Sequence, residues 1–525
     1  TSLSWTEDGQ ILTCTTSNGG FYGYLMVIPS LCCAHGTNIA MLSTLSEVAI
    51  KDCLRNNLTI GKIGLDIEPQ FLGLGKNHCA VGINNSVLYY RWMDESGQGY
   101  QQNAPLVCKR EYFSTIKDIA LNDRWTAILS EGKVTLHVIE AEQNAGNSDD
   151  RKFPQHDSEK PISSIHLTDD FLIMIDTEGK LKYYLIEEST VISEFNPENP
   201  IEKVFPNKSG TKCICIDNTG CGYLYNPADD SMALIPNFTA TVSSALWDVS
   251  HSNMFITYDK GKINTYLYMQ TSLDGPTIIH IPRYNKMEDI DKNTQGVETK
   301  INNDLNPILL RNGYVYTHSP AEGIRGEFLA THSYMSSWRG PNDSEDGHIT
   351  YFLQNIAIQR FSECFNVAEL VEEELGQQMY ESLGKYALKN VELFHAENAF
   401  RLCKNVGMVY AINSIKDETE KYVLMGHIAS ILHKHDIAQG FFLKSSKPEL
   451  ALEMRCDLQD WYTALKLVQN IDPAREPYIC RKLAVQIENQ GNSVEALKLF
   501  ERALLNDALP EHERKFNDKE HNTIC

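Results

Sequence analysis

Over the first three hundred residues, apolar and polar positions alternate in short runs divided by polar turns, the period expected of half-buried strands. Four stretches share one grammar: "IKDIALNDRWTAILSEGKVTLHVIE" (116–140), "ISSIHLTDDFLIMIDTEGKLKYYLIE" (162–187), "IEKVFPNKSGTKCICIDNTGCGYLYN" (201–226) and "VSSALWDVSHSNMFITYDKGKINTYLYM" (242–269). Each reads as a strand, a polar turn, a second strand, a turn holding Gly132, Gly179, Gly220 or Gly261, and an alternating third strand. The interval of about 40–46 residues is that of a four-stranded propeller blade, whose faces are buried only when blades pack side by side around a ring. Residues 2–28, 78–92 and 308–320 carry the same pattern, which predicts a WD40-like β-propeller of about seven blades. The first of these units closes either this ring or a preceding one. Polar inserts at 143–160 and 284–305 read as solvated loops between blades, with cargo contact as the alternative.

After about residue 350 the period becomes helical. In "HITYFLQNIAIQRFSECFNVAELVEEE" the positions Leu353, Ile356, Phe361, Phe365 and Leu370 form one apolar face. Further on, Tyr422, Met425, Gly426, Ala429, Ala438, Phe442 and Ser445 recur in class as Cys480, Leu483, Ala484, Ile487, Ala496, Phe500 and Ala503. Small residues where two helices cross and bulky ones in the groove to the next hairpin suit a tetratricopeptide-like α-solenoid, with a register of about 34 residues. Between these units, helices over 448–456 and 459–468 form a shorter hairpin, with Pro448 in a first turn and Asp457 ending or capping a helix. The expected domains are therefore a propeller over 1–335, a linker over 336–350 and a solenoid over 351–525. Thr1 enters a strand pattern without an initiator Met, and the polar tail lacks a capping repeat, so both ends read as truncations.

Composition narrows the function. A hydrophobic share of 42% and an aromatic share of 9% describe a folded chain. Its 69 acidic against 47 basic residues, a net charge of −22, argue against nucleic acid, which needs a basic surface. No apolar run reaches the roughly 18 residues of a membrane span. The 14 cysteines form no C-x-x-C pair and read as reduced core thiols. "FLGLGKN" (71–77) fails as a phosphate loop, since Gln70 stands where its first glycine is needed and Asn77 follows Lys76. His433-Lys434-His435 would need further ligands to hold a metal, and Glu372-Glu373-Glu374 suits a solvated helix face. No catalytic, cofactor-binding or metal-binding residues are expected, and the chain reads as no enzyme. Two residues are candidates for a protein interface, Trp461 and Arg455, because Trp and Arg dominate binding hot spots. Trp461 also suits a plain hairpin core position, one turn from Leu465.

The stretches "SLSWTEDGQILT", "LDIEPQFLGLGKNHCAVGINN", "SEGKVTLHVIE", "ALEMRCDLQDWYTALKLV" and "AVQIENQGNSVEALKLFERAL", in this order, together resemble the large WD-repeat subunits of intraflagellar transport complex A. The resemblance implies two propellers followed by a long solenoid, of which this chain would hold the second propeller and the first part of the solenoid. It implies a scaffold for dynein-dependent retrograde transport and for entry of membrane receptors into cilia, placed at the cilium, its base and the cytoplasm. Implied partners are other complex A subunits, complex B, tubby-like cargo adaptors and dynein-driven trains, with neither nucleic acid nor a direct membrane span. Departures lie in 143–160, 284–305 and the acidic 366–376 region. The architecture also fits a coatomer-like vesicle-coat subunit or a propeller that presents a substrate to an enzyme.

Overall fold

A computed structural model describes residues 2–6, 11–25, 31–93, 103–140, 150–155, 160–281, 299–302, 305–319 and 323–505. Most of the inserts at 143–160 and 284–305, and the whole polar tail, lie outside the described residues. The chain divides into two compact units: the first runs to Gln359 apart from Thr271–Gly275, and the second takes that segment and begins again at Arg360.

In the first unit, seven antiparallel sheets span 32–64, 71–111, 116–153, 162–195, 201–234, 244–280 and 306–328, here blades 1 to 7. Blades 1 to 5 have four strands in sequence order. Blade 6 gains a fifth, Thr299–Lys300, and blade 7 has three. The first strand of each blade neighbours the first strand of the next, and blade 7 neighbours blade 1, so the ring closes. The alternation predicted from sequence is therefore a device for burying two faces at once. In blade 4, Leu172, Met174 and Tyr184 turn to Ala127, Leu129 and Leu136 of blade 3. The alternate positions Ile173, Ile175 and Tyr183 turn to Val204, Cys213 and Tyr225 of blade 5. Between blades 7 and 1 the seam is made by Leu309 and Tyr316 against Ile39 and Cys53, and the Tyr316 hydroxyl donates to the Cys53 carbonyl at 3.1 Å.

Polar stitches repeat around the ring. The Gly132 carbonyl accepts from Ile162 N–H at 2.8 Å and the Gly179 carbonyl from Ile201 N–H at 3.2 Å, each joining a hairpin turn to the next blade. Both glycines have φ near +80° (76° and 80°), which L-residues avoid. A Cβ on Gly179 would also lie 2.5 Å from Ile201 N, so the close seam excludes any side chain there. Buried Asn122 accepts from Arg124 and Trp125 N–H and donates to the Thr168 carbonyl of the next blade at 3.0 Å. Asp248 does the same for blades 6 and 7, accepting from Gly313 N–H at 3.0 Å. A separate three-stranded sheet, Ser2–Trp5, Ile11–Thr15 and Phe21–Leu25, pairs only with itself among the described residues. The first unit ends in helices Tyr334–Ser337 (α1) and Glu345–Ala357 (α2), joined by a 3-10 turn at Gly340–Asn342. The region read as a linker from sequence thus holds α1's end, this turn and α2's start.

The second unit is a run of helices: Phe361–Ala368 (α3), Glu373–Lys389 (α4), Leu393–Leu402 (α5), Val406–Ile415 (α6), Lys421–Ile431 (α7), His435–Lys444 (α8), Glu449–Asp457 (α9), Trp461–Ile471 (α10), Glu476–Asn489 (α11) and Ser493–Leu505 (α12). Four hairpins, α4–α5, α7–α8, α9–α10 and α11–α12, obey one register. A first-helix residue (Gly384, Gly426, Leu452, Ala484) is followed twelve positions on by alanine (396, 438, 464, 496) and sixteen positions on by its crossing partner, Phe400, Phe442, Val468 or Phe500. A Cβ on Gly384 or Gly426 would meet the Phe400 or Phe442 ring at 2.7 or 2.5 Å, so glycine sets the closeness of these crossings.

Seven positions after this first-helix residue, each hairpin turns through a left-handed residue: Val391, His433, Gln459 or Gly491 (φ +63°, +59°, +58° and +88°). The next N–H then donates back five residues, as Lys434 does to Ala429 at 2.8 Å, which ends the first helix. The first helices of the last three hairpins begin at Lys421, Glu449 and Glu476, intervals shorter than the 34-residue register read from sequence. Short helices α8, α9 and α10 account for the difference. The single apolar face expected over 353–370 is broken where Gln359 adopts φ +61° after α2, and Leu370 is exposed.

Candidate interaction surfaces

The chemically suggestive sequences resolve into structure. Lys76 of "FLGLGKN" pairs with Asp123 at 3.5 Å across blades 2 and 3. His433 is the left-handed turn residue and His435 opens α8. Glu372 occupies the N-cap position of α4 without a side-chain capping bond, Glu373 and Glu374 lie in its first turn, where carboxylates offset the helix dipole, and Glu373 pairs with Lys404 at 2.9 Å. Among the described residues no group of His, Cys, Asp or Glu is placed to hold a metal ion. Thirteen cysteines are described, all free; six are buried, six half-buried, and Cys221 is exposed. Burial pushes the Cys53 and Cys79 thiols up to about 12, which keeps them protonated and unreactive.

Two ionisable clusters lie between blades 2 and 3. Glu140 accepts from Arg91 and from His78 (2.6 Å), and the Arg91 guanidinium chiefly, then His78, holds its carboxyl down at about 2. His137, buried, hydrogen-bonds the Tyr112 hydroxyl at 2.6 Å and the Val138 carbonyl at 2.9 Å; burial lowers its pKa to about 4 and keeps it neutral. Both sets span a blade seam.

The two interface candidates fall in one hairpin. Asp460 caps α10, accepting from Thr463 N–H at 3.3 Å, and Trp461 is the first helical residue after it. Arg455, in the last turn of α9, is buried and spends its donors locally: on Gln439 at 2.8 Å and Asp436 at 2.6 Å from α8, and on Asp460 at 3.2 Å. It therefore ties three helices together, while the Asp436 side chain is 96% exposed. Trp461 is half-buried, packs against Ala464, Val468 and Ile479 as well as Leu483 and Ile487, and meets Tyr478 edge-on at 6.3 Å.

Among the described residues, several exposed apolar surfaces were not singled out from sequence. The separate N-terminal sheet exposes Leu3, Trp5, Phe21, Tyr22 and Tyr24; α5 and α6 expose Phe394, Leu402, Val406 and Tyr410; α12 exposes Val494, Leu497 and Leu504. The signal for the second was present, because α6 is apolar around most of its circumference and lies outside the four-hairpin register. A cleft of about 510 Å³ between α1 and α2 has Trp338 stacked on Tyr351 at 4.0 Å, with Arg339 and Asp346 among its lining residues.

Comparison with known proteins gives a family and relatives. Residues 39–332 match the model described as the WDR19 second beta-propeller. The chain is 30% identical to the human protein named WD repeat-containing protein 19 over its full length, covering 36% of that protein, and 30% identical to the mouse protein of the same name. It is 24% identical to the WD repeat-containing protein dyf-2 of Caenorhabditis elegans, covering 37% of it. The chain thus spans about a third of the length of the curated relatives it matches. Among solved structures, Kluyveromyces lactis Hsv2 aligns at 11% identity over 51% of this chain and 92% of its own, with a TM-score of 0.35, too low to carry an argument.

Proposed function

The chain belongs to the WDR19 second beta-propeller family, and on that premise we propose that it is a non-enzymatic scaffold segment of an intraflagellar transport complex A subunit. In this reading it supports retrograde transport in cilia and the ciliary entry of membrane-protein cargo. Its partners are the other complex A subunits, with complex B, tubby-like cargo adaptors and dynein-driven trains as further contacts. Its places are the cilium, the ciliary base and the cytoplasm. The observation that carries the reading is the family match over the ring, together with a helical run in which four hairpins share one crossing register. No helix among the described residues is long and apolar enough to cross a membrane. Rings and solenoids of this kind offer extended surfaces to other chains. Trp461 enters the proposal as a contact residue through its exposed edge, and Arg455 as the residue that holds Asp436 and Asp460 beside it.

The test is co-purification of the tagged full-length protein from ciliated cells, with mass spectrometry after a moderate salt wash. Stoichiometric recovery of the other complex A subunits is expected. Recovery of coatomer or ubiquitin-ligase subunits in their place would overturn the assignment.

A further inference from the structure

The outermost strand of blade 4, Thr190–Phe195, presents two neighbouring apolar side chains to solvent, Val191 and Ile192, which are 49% and 54% exposed. A register shift opposite Tyr183 and Tyr184 bulges the strand at this point. Val191 also lines a groove of about 140 Å³ against blade 3, whose apolar wall is Phe153, Ile162 and Met174 and whose polar rim is Lys160 and Lys182 with Asp176 and Glu194.

One end of the same blade is acidic. Asp169 and Asp170 lie in the turn after its first strand, and Glu187 and Glu188 in the turn that leads into the outermost strand. The two turns touch, since Ile186 N–H donates to the Asp170 carbonyl at 3.0 Å. All four side chains are exposed, and none makes an ion pair among the described residues. Two other acids of this blade are ion-paired, Glu178 with Lys160 and Lys180 and Glu194 with Lys182, and Asp176 accepts from the Glu178 and Lys180 N–H groups. Arg151, the cation beside the Glu187 turn, is engaged with the Ile186 carbonyl and lies 4.7 Å over the Trp125 ring. A hydrogen bond from Ser193 to Asp230 at 3.1 Å brings the exposed Asp229–Asp230 turn of blade 5 alongside.

We propose that this strip is a docking surface for a basic amphipathic segment of a partner protein. An apolar side chain of the segment seats over Val191 and Ile192 and into the groove, and its Lys or Arg residues meet Glu187, Glu188 and Asp170. Charge complementarity selects this occupant, because unpaired carboxylates beside an exposed apolar pair attract cations and repel acidic peptides and anionic membranes. The inference names a contact within the scaffold reading and stands on the blade's own geometry.

The test titrates the full chain into a fluorescein-labelled peptide of repeating Leu-Lys-Lys-Leu and into its Leu-Glu-Glu-Leu counterpart, read by anisotropy. The lysine peptide is expected to bind, the glutamate peptide not. The double variant Glu187→Gln/Glu188→Gln and the variant Ile192→Ser are each expected to weaken binding about tenfold, equivalent to about 1.4 kcal/mol. These side chains are exposed, so unchanged thermal unfolding confirms intact folding. A photo-crosslinking lysine peptide, used on the unsubstituted chain, should label blade 4. Absent binding, equal affinity for the variants, or labelling confined elsewhere would overturn the proposal. Capture of phosphatidylserine vesicles or self-association abolished by Ile192→Ser would also overturn it, by giving the face another occupant.

Discussion

The ring and the helical run solve the same burial problem differently. Every blade is covered on both faces by like neighbours, and the seam between blades 7 and 1 leaves no end. The helical hairpins stack in sequence, each held by its own crossing pair and by the next hairpin. A ring of this kind should lose structure as a whole, whereas a stack should lose it locally. Their turns differ in the same sense. In the ring, Gly179 is fixed both by its positive φ and by the packed Pro200 and Ile201; in the helical run, Gly491 has nothing within 4 Å of its missing side chain.

The largest expected effect comes from the cores. Leu172→Ala in blade 4 and Phe442→Ala at the α7–α8 crossing should cost about 2–5 and 3–5 kcal/mol respectively, by loss of buried surface and cavity formation. The costs are similar but the reach should differ, with Leu172→Ala weakening amide protection around the ring and Phe442→Ala only in α7, α8 and their neighbours. Next, Gly179→Ala should cost about 2–4 kcal/mol, combining left-handed backbone strain with overpacking. Gly491→Ala carries only the strain, about 1–2 kcal/mol. Thermal unfolding of the pair measures the difference.

A pH prediction follows from His137. Its folded pKa of about 4 lies below the ordinary value of 6.5, so the unfolded chain binds the extra proton first. Its contribution to stability is present above pH 6.5 and is lost as pH falls toward 4. His137→Gln should flatten that part of the stability profile in a thermal-melt series. The smallest effect expected is a gain: Val391→Gly relieves a β-branched residue at φ +63° and should be neutral or stabilising by up to about 1 kcal/mol.

Much of the ring was legible in sequence because each blade repeats a local pattern, and Gly132 and Gly179 mark turns whose shape glycine alone permits. The Gly426–Ala438–Phe442 hairpin was legible for the same reason. Its counterpart at Gly384–Ala396–Phe400 was not, because α6 intervenes and spoils the interval. The end of α2 was also hidden, since Gln359 turns left-handed without a glycine to signal it. Arg455 could be picked out as a residue type, but its partners Asp436 and Gln439 belong to a different helix, and no local pattern announces that pairing. The acidic, apolar edge of blade 4 was similarly silent, because it depends on which strand ends up outermost and on which acids find a lysine.

The most direct measurement is hydrogen exchange by mass spectrometry on the full chain carrying Leu172→Ala or Phe442→Ala. The first should lower protection across blades 1 to 7 together, while the second should lower it in a gradient that fades away from α7 and α8. A loss confined to blades 3 to 5 in the first case, or a uniform loss over α4 to α12 in the second, would contradict this contrast between ring and stack.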